Sequence, residues 1–233
     1  MKPPPPPPPP PPAEFDQFAD SYQRIHAHNI RASGELPEYF AQHKASLVRR
    51  AIGENFAQPI LDYGSGIGNL TSIFASSFAD VHAYDPSIEC TRVARERAPS
   101  AHFHDDADAL PKRHFGAVVL ANVLHHVEPP DRPALLERVR GLLVPGGRII
   151  VFEHNPLNPL ARRAVAECPL DESAVLLYPW ELTRSLRRAR FEHVRRDFIV
   201  FFPRPLARLR PLEHWLRAVP LGAQVCVIGR APS

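Results

Sequence analysis

Three observations predict an α/β fold wound around a mostly parallel sheet. Short apolar runs alternate with segments whose apolar residues recur at helical spacing. One run, Pro59 to Asp62, enters a loop with glycine at 64, 66 and 68 and leaves into Leu70, Ile73, Phe74 and Phe78, the order strand, tight loop, helix. Acids then stand at the ends of three successive strand patterns, at Asp62, Asp85 and Asp106. In an open α/β sheet the carboxyl ends of the strands share one edge, so the three carboxylates and the glycine loop belong together there.

The totals suit one such domain. The chain has 233 residues, 44% of them apolar, enough for a packed core. A net charge of +3 demands no nucleic-acid partner. The three cysteines, Cys90, Cys168 and Cys226, are widely spaced and odd in number, which indicates neither a disulfide framework nor a zinc knuckle. No basic stretch followed by an apolar one opens the chain, and no apolar span reaches membrane length, so a cytoplasmic protein with no membrane partner is expected.

Residues 1–13 are read as a disordered polyproline tail, because Pro3 to Pro12 lack N–H donors and have a fixed φ. The domain proper runs over 14–233. Within it, 14–56 holds two helices: Phe15, Phe18, Tyr22 and Ile25 line one face, and Ala41, Ala45, Leu47, Val48 and Ile52 mark the second. After the glycine loop come a strand at Val81–Asp85, a helix from Ser87 to Ala98 and an alternating strand at Ala101–His104. Phe115 to Ala121 is almost continuously apolar, as a strand buried on both faces must be. A helix carrying Leu135, Leu136, Val139, Leu142 and Leu143 leads through Pro145-Gly146-Gly147 into a strand from Arg148 to Phe152. A polar, proline-stiffened stretch follows from Glu153, then a helix over Trp180–Ala189, a strand over Val194–Phe202, an arginine-rich helix over Leu206–Ala218 and a strand over Ala223–Ile228.

The glycine loop narrows the ligand. A Walker phosphate loop needs Gly-Lys-Ser/Thr where Asn69-Leu70 stand, and a dinucleotide fingerprint puts its third small residue on Asn69. The segment Leu61-Asp62-x-Gly64-x-Gly66-x-Gly68 resembles motif I of the class I S-adenosylmethionine-dependent methyltransferases. Asp106-Ala107-Asp108-Ala109-Leu110-Pro111 resembles their D-A-E-x-L-P signature, and Val123-Leu124-His125-His126-Val127 and Leu143-x-Pro145-Gly146-Gly147 resemble two further motifs. The likeness runs from Ile60 to Phe152, with one departure: Gly116 stands where the family usually has aspartate. Beyond it, Glu153-His154-Asn155-Pro156-Leu157-Asn158-Pro159 resembles a bacterial subgroup with an E-H-N-P-x-N-P segment.

That resemblance implies a Rossmann-like seven-stranded sheet whose last strand is antiparallel, and S-adenosyl-L-methionine as cofactor. It implies a cofactor site of Asp62, Gly64, Ser65, Gly66, Gly68, Asp85, Pro86, Asp106, Ala107 and Asn122, with Asp85 on the ribose, Asp106 and Ala107 at the adenine and Asn122 at the methionine end. The N-terminal helices would cover the cofactor as a lid. The acceptor is expected to be a small metabolite with an oxygen or nitrogen nucleophile. His126 and His154 are the imidazoles placed to take its proton, and Asn155 and Asn158 the amides placed to hold it. His102, His104 and the pair His125-His126 raise a metal site, but no third ligand has motif spacing, so none is expected. The ten arginines between Arg184 and Arg217 alternate with apolar residues and read as solvated faces. Two rival functions stay open: a nucleotide-dependent oxidoreductase, and a non-catalytic cofactor-binding subunit.

Overall fold

The computed structural model describes residue 13 and residues 15–233. The proline run lies outside the described residues. Seven strands form one sheet in the order β3-β2-β1-β4-β5-β7-β6. They are β1 (Ile60–Tyr63), β2 (Val81–Tyr84), β3 (His102–His104), β4 (Phe115–Ala121), β5 (Leu143–His154), β6 (Glu192–Ile199) and β7 (Gln224–Arg230). β1 to β5 are joined by parallel ladders, and β7 enters antiparallel between β5 and β6. The doubly wound, Rossmann-like sheet with an antiparallel last strand is the expected one.

Strand periodicity sorts the core into two layers. On β4 and β5, Val118, Leu120, Ile149 and Val151 join one apolar cluster, while Ala117, Val119, Ile150 and Phe152 join the other. The first is sealed by α5 (Arg132–Leu142) and α7 (Pro179–Arg188), through Leu136, Val139, Leu182 and Leu186. The second is sealed by α2 (Pro37–Ile52) and α3 (Asn69–Ala75), through Ala45, Val48, Leu70 and Phe74. Phe74, Phe115 and Phe152 are wholly buried, and truncating one such ring to alanine costs about 3–5 kcal/mol.

Four elements differ from expectation. The first predicted helix, through Phe15, Phe18, Tyr22 and Ile25, is divided into a 3-10 turn, Asp16–Phe18, and α1 (Tyr22–Asn29). β5 begins at Leu143, so Pro145-Gly146-Gly147 lies inside the strand, with Gly146 at φ +75° and a register shift against β4 between Phe115 and Ala117. The arginine-rich helix is instead a 3-10 stretch, Arg204–Leu212, kinked at Leu206 and containing Pro205 and Pro211, followed by the single turn α8 (Glu213–Leu216). Proline lacks the donor a continuous helix needs, which explains the change. Between β5 and α7 the chain forms α6 (Pro159–Ala166) and a 3-10 turn, Pro169–Asp171, where only an irregular polar stretch was expected.

Gly116 also finds its reason. A Cβ there would come within 2.2 Å of the Gln58 side-chain oxygen and 2.7 Å of the Phe56 ring. The space an aspartate would use is filled from the preceding turn. The three cysteines are free and buried. No helix among the described residues is long and apolar enough to cross a membrane.

Candidate active site

At the carboxyl edge, the three loop glycines serve different ends. Gly64 turns the chain at φ +79°, tied to β2 by its N–H on the Tyr84 carbonyl at 2.7 Å, and a Cβ on it would strike Val123 at 2.5 Å. Gly68, at φ +78°, starts α3 and lets α4 (Ile88–Arg97) approach, since a Cβ would meet that of Ala94 at 2.9 Å. Gly66 is different. At φ +52° its missing Cβ would enter open space, with nothing within 4 Å. Packing therefore explains two glycines, and access from outside the protein explains the third.

Carboxylates brace this loop. Asp62 is buried and accepts a 2.7 Å bond from the Thr71 hydroxyl, and burial raises its pKa to about 6 against the opposing effect of that bond. Asp85 accepts from the Gly66 N–H at 2.7 Å and the Ser87 N–H at 2.9 Å, and burial raises its pKa as well. Pro86 sits between them at the head of α4. Asp106 is exposed and accepts from the Asp108 N–H at 2.8 Å, beside the half-buried Ala107. Asn122 holds left-handed backbone, φ +61°, at the end of β4. Its Oδ1 and the hydroxyl of Ser65 are buried with no hydrogen-bond partner among the described residues. An open cradle flanked by unpaired acceptors and a carboxylate fits a ligand bearing hydroxyl and ammonium groups.

The N-terminal segment closes over this edge. Asp16 receives the Ser87 hydroxyl at 2.6 Å, and Phe15, Tyr22 and Ala19 pack with Ile67 and Cys90. Phe15 also meets His126 edge-on, ring centres 4.9 Å apart. Behind it, Lys44 of α2 is buried above the Phe152 ring, 5.8 Å from its centre, and burial lowers its pKa to about 8 despite the fields of Glu153 and Asp62. Sequence reading passed over Lys44, although it sits within the apolar face Ala41, Ala45, Val48.

Beyond the loop, three separate segments converge. Glu153, at the end of β5, is buried. It accepts from the Leu124 N–H at 2.8 Å and pairs with His125 Nδ1 at 2.5 Å. Asp171, from the 3-10 turn, lies 3.4 Å from both His125 Nε2 and His126 Nε2. His154 is half-buried beside them, its ring centre 5.2 Å from that of His125. Burial opposes a charge on His125, but Glu153 and Asp171 outweigh it and push the imidazole up to about 9. Burial and the neighbouring His125 lower His154 to about 4. Sequence reading named both predicted imidazoles here, His126 and His154, but gave no role to His125, Glu153 or Asp171. Only the repeated His-His hinted at them.

The two asparagines point elsewhere. Asn155 is wholly buried, donating to the carbonyls of Pro220 at 3.1 Å and Gly222 at 2.7 Å and accepting from the Leu157 N–H. Asn158 caps α6 by accepting from Leu160 and Ala161, and donates to the Leu221 carbonyl at 2.7 Å. Both amides tie the segment after β5 to the segment that leads into β7.

Residues 60–147 match the family model described as a methyltransferase domain. The chain is 35% identical over 118 residues to the demethylmenaquinone methyltransferase of Renibacterium salmoninarum, covering 48% of this chain and 49% of that one. It thus spans about half the length of that relative. Among solved structures, an S-adenosylmethionine-dependent methyltransferase from Archaeoglobus fulgidus superposes with a TM-score of 0.64 at 14% identity, covering 82% of this chain and 94% of that one. Phosphoethanolamine N-methyltransferase 2 of Haemonchus contortus, solved with S-adenosyl-L-methionine, gives 0.65 at 16% identity, covering 95% and 60%. These likenesses share the fold, and the matched segment holds the whole glycine-loop edge.

Proposed function

We propose that this chain, with a methyltransferase domain over residues 60–147, is a class I S-adenosylmethionine-dependent methyltransferase acting on an oxygen or nitrogen of a small metabolite. The observation that carries the reading is the open space at Gly66, bordered by Asp85 and the unpaired Ser65 and Asn122 oxygens. The cofactor supplies an activated methyl group on a sulfonium sulfur, so the chain has to bind, align and exclude water.

In this reading Asp85 accepts the ribose hydroxyls while keeping Gly66 in place. Asp106 and Ala107 border the adenine, and Asn122 meets the methionine end. Ser65, Gly64 and Gly68 shape the loop, and Asp62 holds it from below through Thr71. Phe15 and Tyr22 cover the edge and shed water from it, which gives residues 14–56 the role of a lid.

The acceptor enters on the histidine side. Here magnitude chooses between the two imidazoles. With its pKa near 4, His154 is a poor proton acceptor at neutral pH, by about 4 kcal/mol relative to a group poised there. His126, with Asp171 Oδ1 3.4 Å from its Nε2, is the imidazole left to take the acceptor's proton. His154 keeps a free lone pair, suited to holding something electron-poor. Asn155 and Asn158 set the shape of the acceptor wall through the backbone.

Titration calorimetry tests the reading directly. S-adenosylmethionine is expected to bind with micromolar affinity and NAD(P)H not to bind; the reverse result overturns the assignment in favour of an oxidoreductase. Incubating metabolite extracts with isotopically labelled cofactor then reveals the acceptor as a mass shift. Tight binding with no transfer to any extract would mark a non-catalytic subunit.

A further inference from the structure

We infer that His125, His154 and Asp171 form a binding site for one first-row divalent metal ion of the zinc type, placed at the acceptor end of the candidate site. One ligand atom from each lies within 4.8 Å of the others. The spacing is what distinguishes a metal site from a hydrogen-bonded cluster. His125 Nε2 and Asp171 Oδ1 are 3.4 Å apart, beyond the roughly 2.7–3.2 Å of an N–H···O bond. Ligands at about 2.0–2.1 Å around a tetrahedral ion stand about 3.3–3.4 Å from one another.

A second observation points to the same ion. His125 is 1% exposed, and its Nε2 is buried with no hydrogen-bond partner among the described residues. Its other nitrogen, Nδ1, is fixed by Glu153 at 2.5 Å, and Glu153 is itself held by the Leu124 N–H. A carboxylate on one ring nitrogen orients the other toward a metal and raises its basicity. Two imidazoles and one carboxylate leave a fourth position open, the arrangement of a metal that handles a substrate rather than one that staples a fold.

A second histidine group in the molecule shows the contrast. Near the opposite edge, Asp80, His82 and His114 also lie close enough to share an ion. There His82 is satisfied at both nitrogens, by Asp80 at 3.0 Å and His104 at 2.8 Å. There the central histidine has a partner within 3.0 Å of each ring nitrogen, whereas His125 Nε2 has no hydrogen-bond partner among the described residues and its nearest carboxylate stands at 3.4 Å.

The ion's existence does not depend on methyl transfer, but its role rests on the function proposed above. At the open position it would hold an oxygen, nitrogen or sulfur of the acceptor. The test uses the full chain, stripped of metal, titrated with zinc by calorimetry and with cobalt by visible absorption, with S-adenosylmethionine binding measured on the same samples. One ion per chain is expected, with the ligand-field bands of a four-coordinate nitrogen and oxygen site. Asp171→Ala and His154→Ala should each weaken it at least 100-fold, and Glu153→Gln about 10- to 100-fold, while His82→Gln leaves it unchanged. Thermal melts report whether each variant folds. Absence of saturable binding by the wild-type chain overturns the proposal, as does binding that survives both Asp171→Ala and His154→Ala or disappears with His82→Gln. Metal bound without S-adenosylmethionine affinity would sink the methyltransferase reading alone, and cofactor bound without metal would sink this inference alone.

Discussion

The two ends of the candidate site are built by opposite means. The glycine-loop end is made of backbone from residues that are neighbours in the chain, from Asp62 to Gly68, steadied by one distant carboxylate, Asp85. The histidine end is made of side chains from separate segments: His125 after β4, Glu153 and His154 at the end of β5, and Asp171 seventeen positions further on in a 3-10 turn. Backbone recognition tolerates change in side chains but not in φ. Side-chain recognition tolerates backbone adjustment but not the loss of a single ring or carboxylate. The contrast predicts where substitutions will act on binding, and where on stability.

The largest expected effect is at Gly66. Gly66→Val places a branched side chain in left-handed backbone and in the one open space of the loop. Affinity for S-adenosylmethionine should fall more than 100-fold with the sheet intact. Normal binding would show that the two ends do not differ as described, and the loop would be only a turn.

Lys44 lies between the two ends, and its proton reports on both. Burial lowers its pKa to about 8, from 10.5 for an exposed lysine. Between those values the unfolded chain binds more protons, so stability rises with pH across the window, by up to about 3 kcal/mol. Denaturant unfolding of the wild type against Lys44→Met from pH 7 to 11 isolates this slope. A flat difference would mean that Asp62 and Glu153 keep the ammonium fully compensated.

Asn155→Ala sharpens the contrast from the other side. The buried carbonyl of Gly222 and the part-buried one of Pro220 lose their donor, so stability should drop by about 2 kcal/mol. Cofactor affinity should stay within two-fold. A stable variant with impaired turnover would restore the substrate-binding role that its place in the sequence suggested.

The smallest effect is at Asp85. Asp85→Asn keeps an acceptor for Gly66 or Ser87 but loses the charge, and cofactor affinity should fall about 10-fold, or about 1.4 kcal/mol. Calorimetry at fixed ionic strength decides it, and unchanged affinity would remove Asp85 from the ribose.

The same contrast explains what could be read from the sequence. Gly64, Gly66, Gly68, Asp62 and Asp85 were legible because a strand-loop-helix signal is local and strand ends are countable. The sheet followed from apolar periodicity, and Gly116 was visible as a departure, though its cause in Gln58 and Phe56 was not. Asp171 was invisible as a site residue. Nothing near it in the chain marks it, and only the fold of α6 and the following turn swings it onto His125. Asn155 illustrates a related point: a polar side chain beside this edge can serve the backbone as readily as a ligand. The proline-containing stretch Arg204–Leu212 looked amphipathic, but periodicity carries no information about missing donors.

The placement of β7 has a consequence for how the protein is made. Among the described residues β7 is the last strand in chain order, yet it sits inside the sheet, and β6 pairs with β7 alone. During synthesis β1 to β5 can assemble in order as they emerge. β6 then appears with nothing to join, and the apolar edge of β5 waits uncovered until residues 224–230 leave the ribosome. The nascent chain therefore carries an unpaired strand and an open template for as long as it takes to add some thirty residues, roughly seconds at ordinary elongation rates. Completion of the sheet is a single late event, and a ribosome stalled before Gln224 would leave the most aggregation-prone form of this molecule.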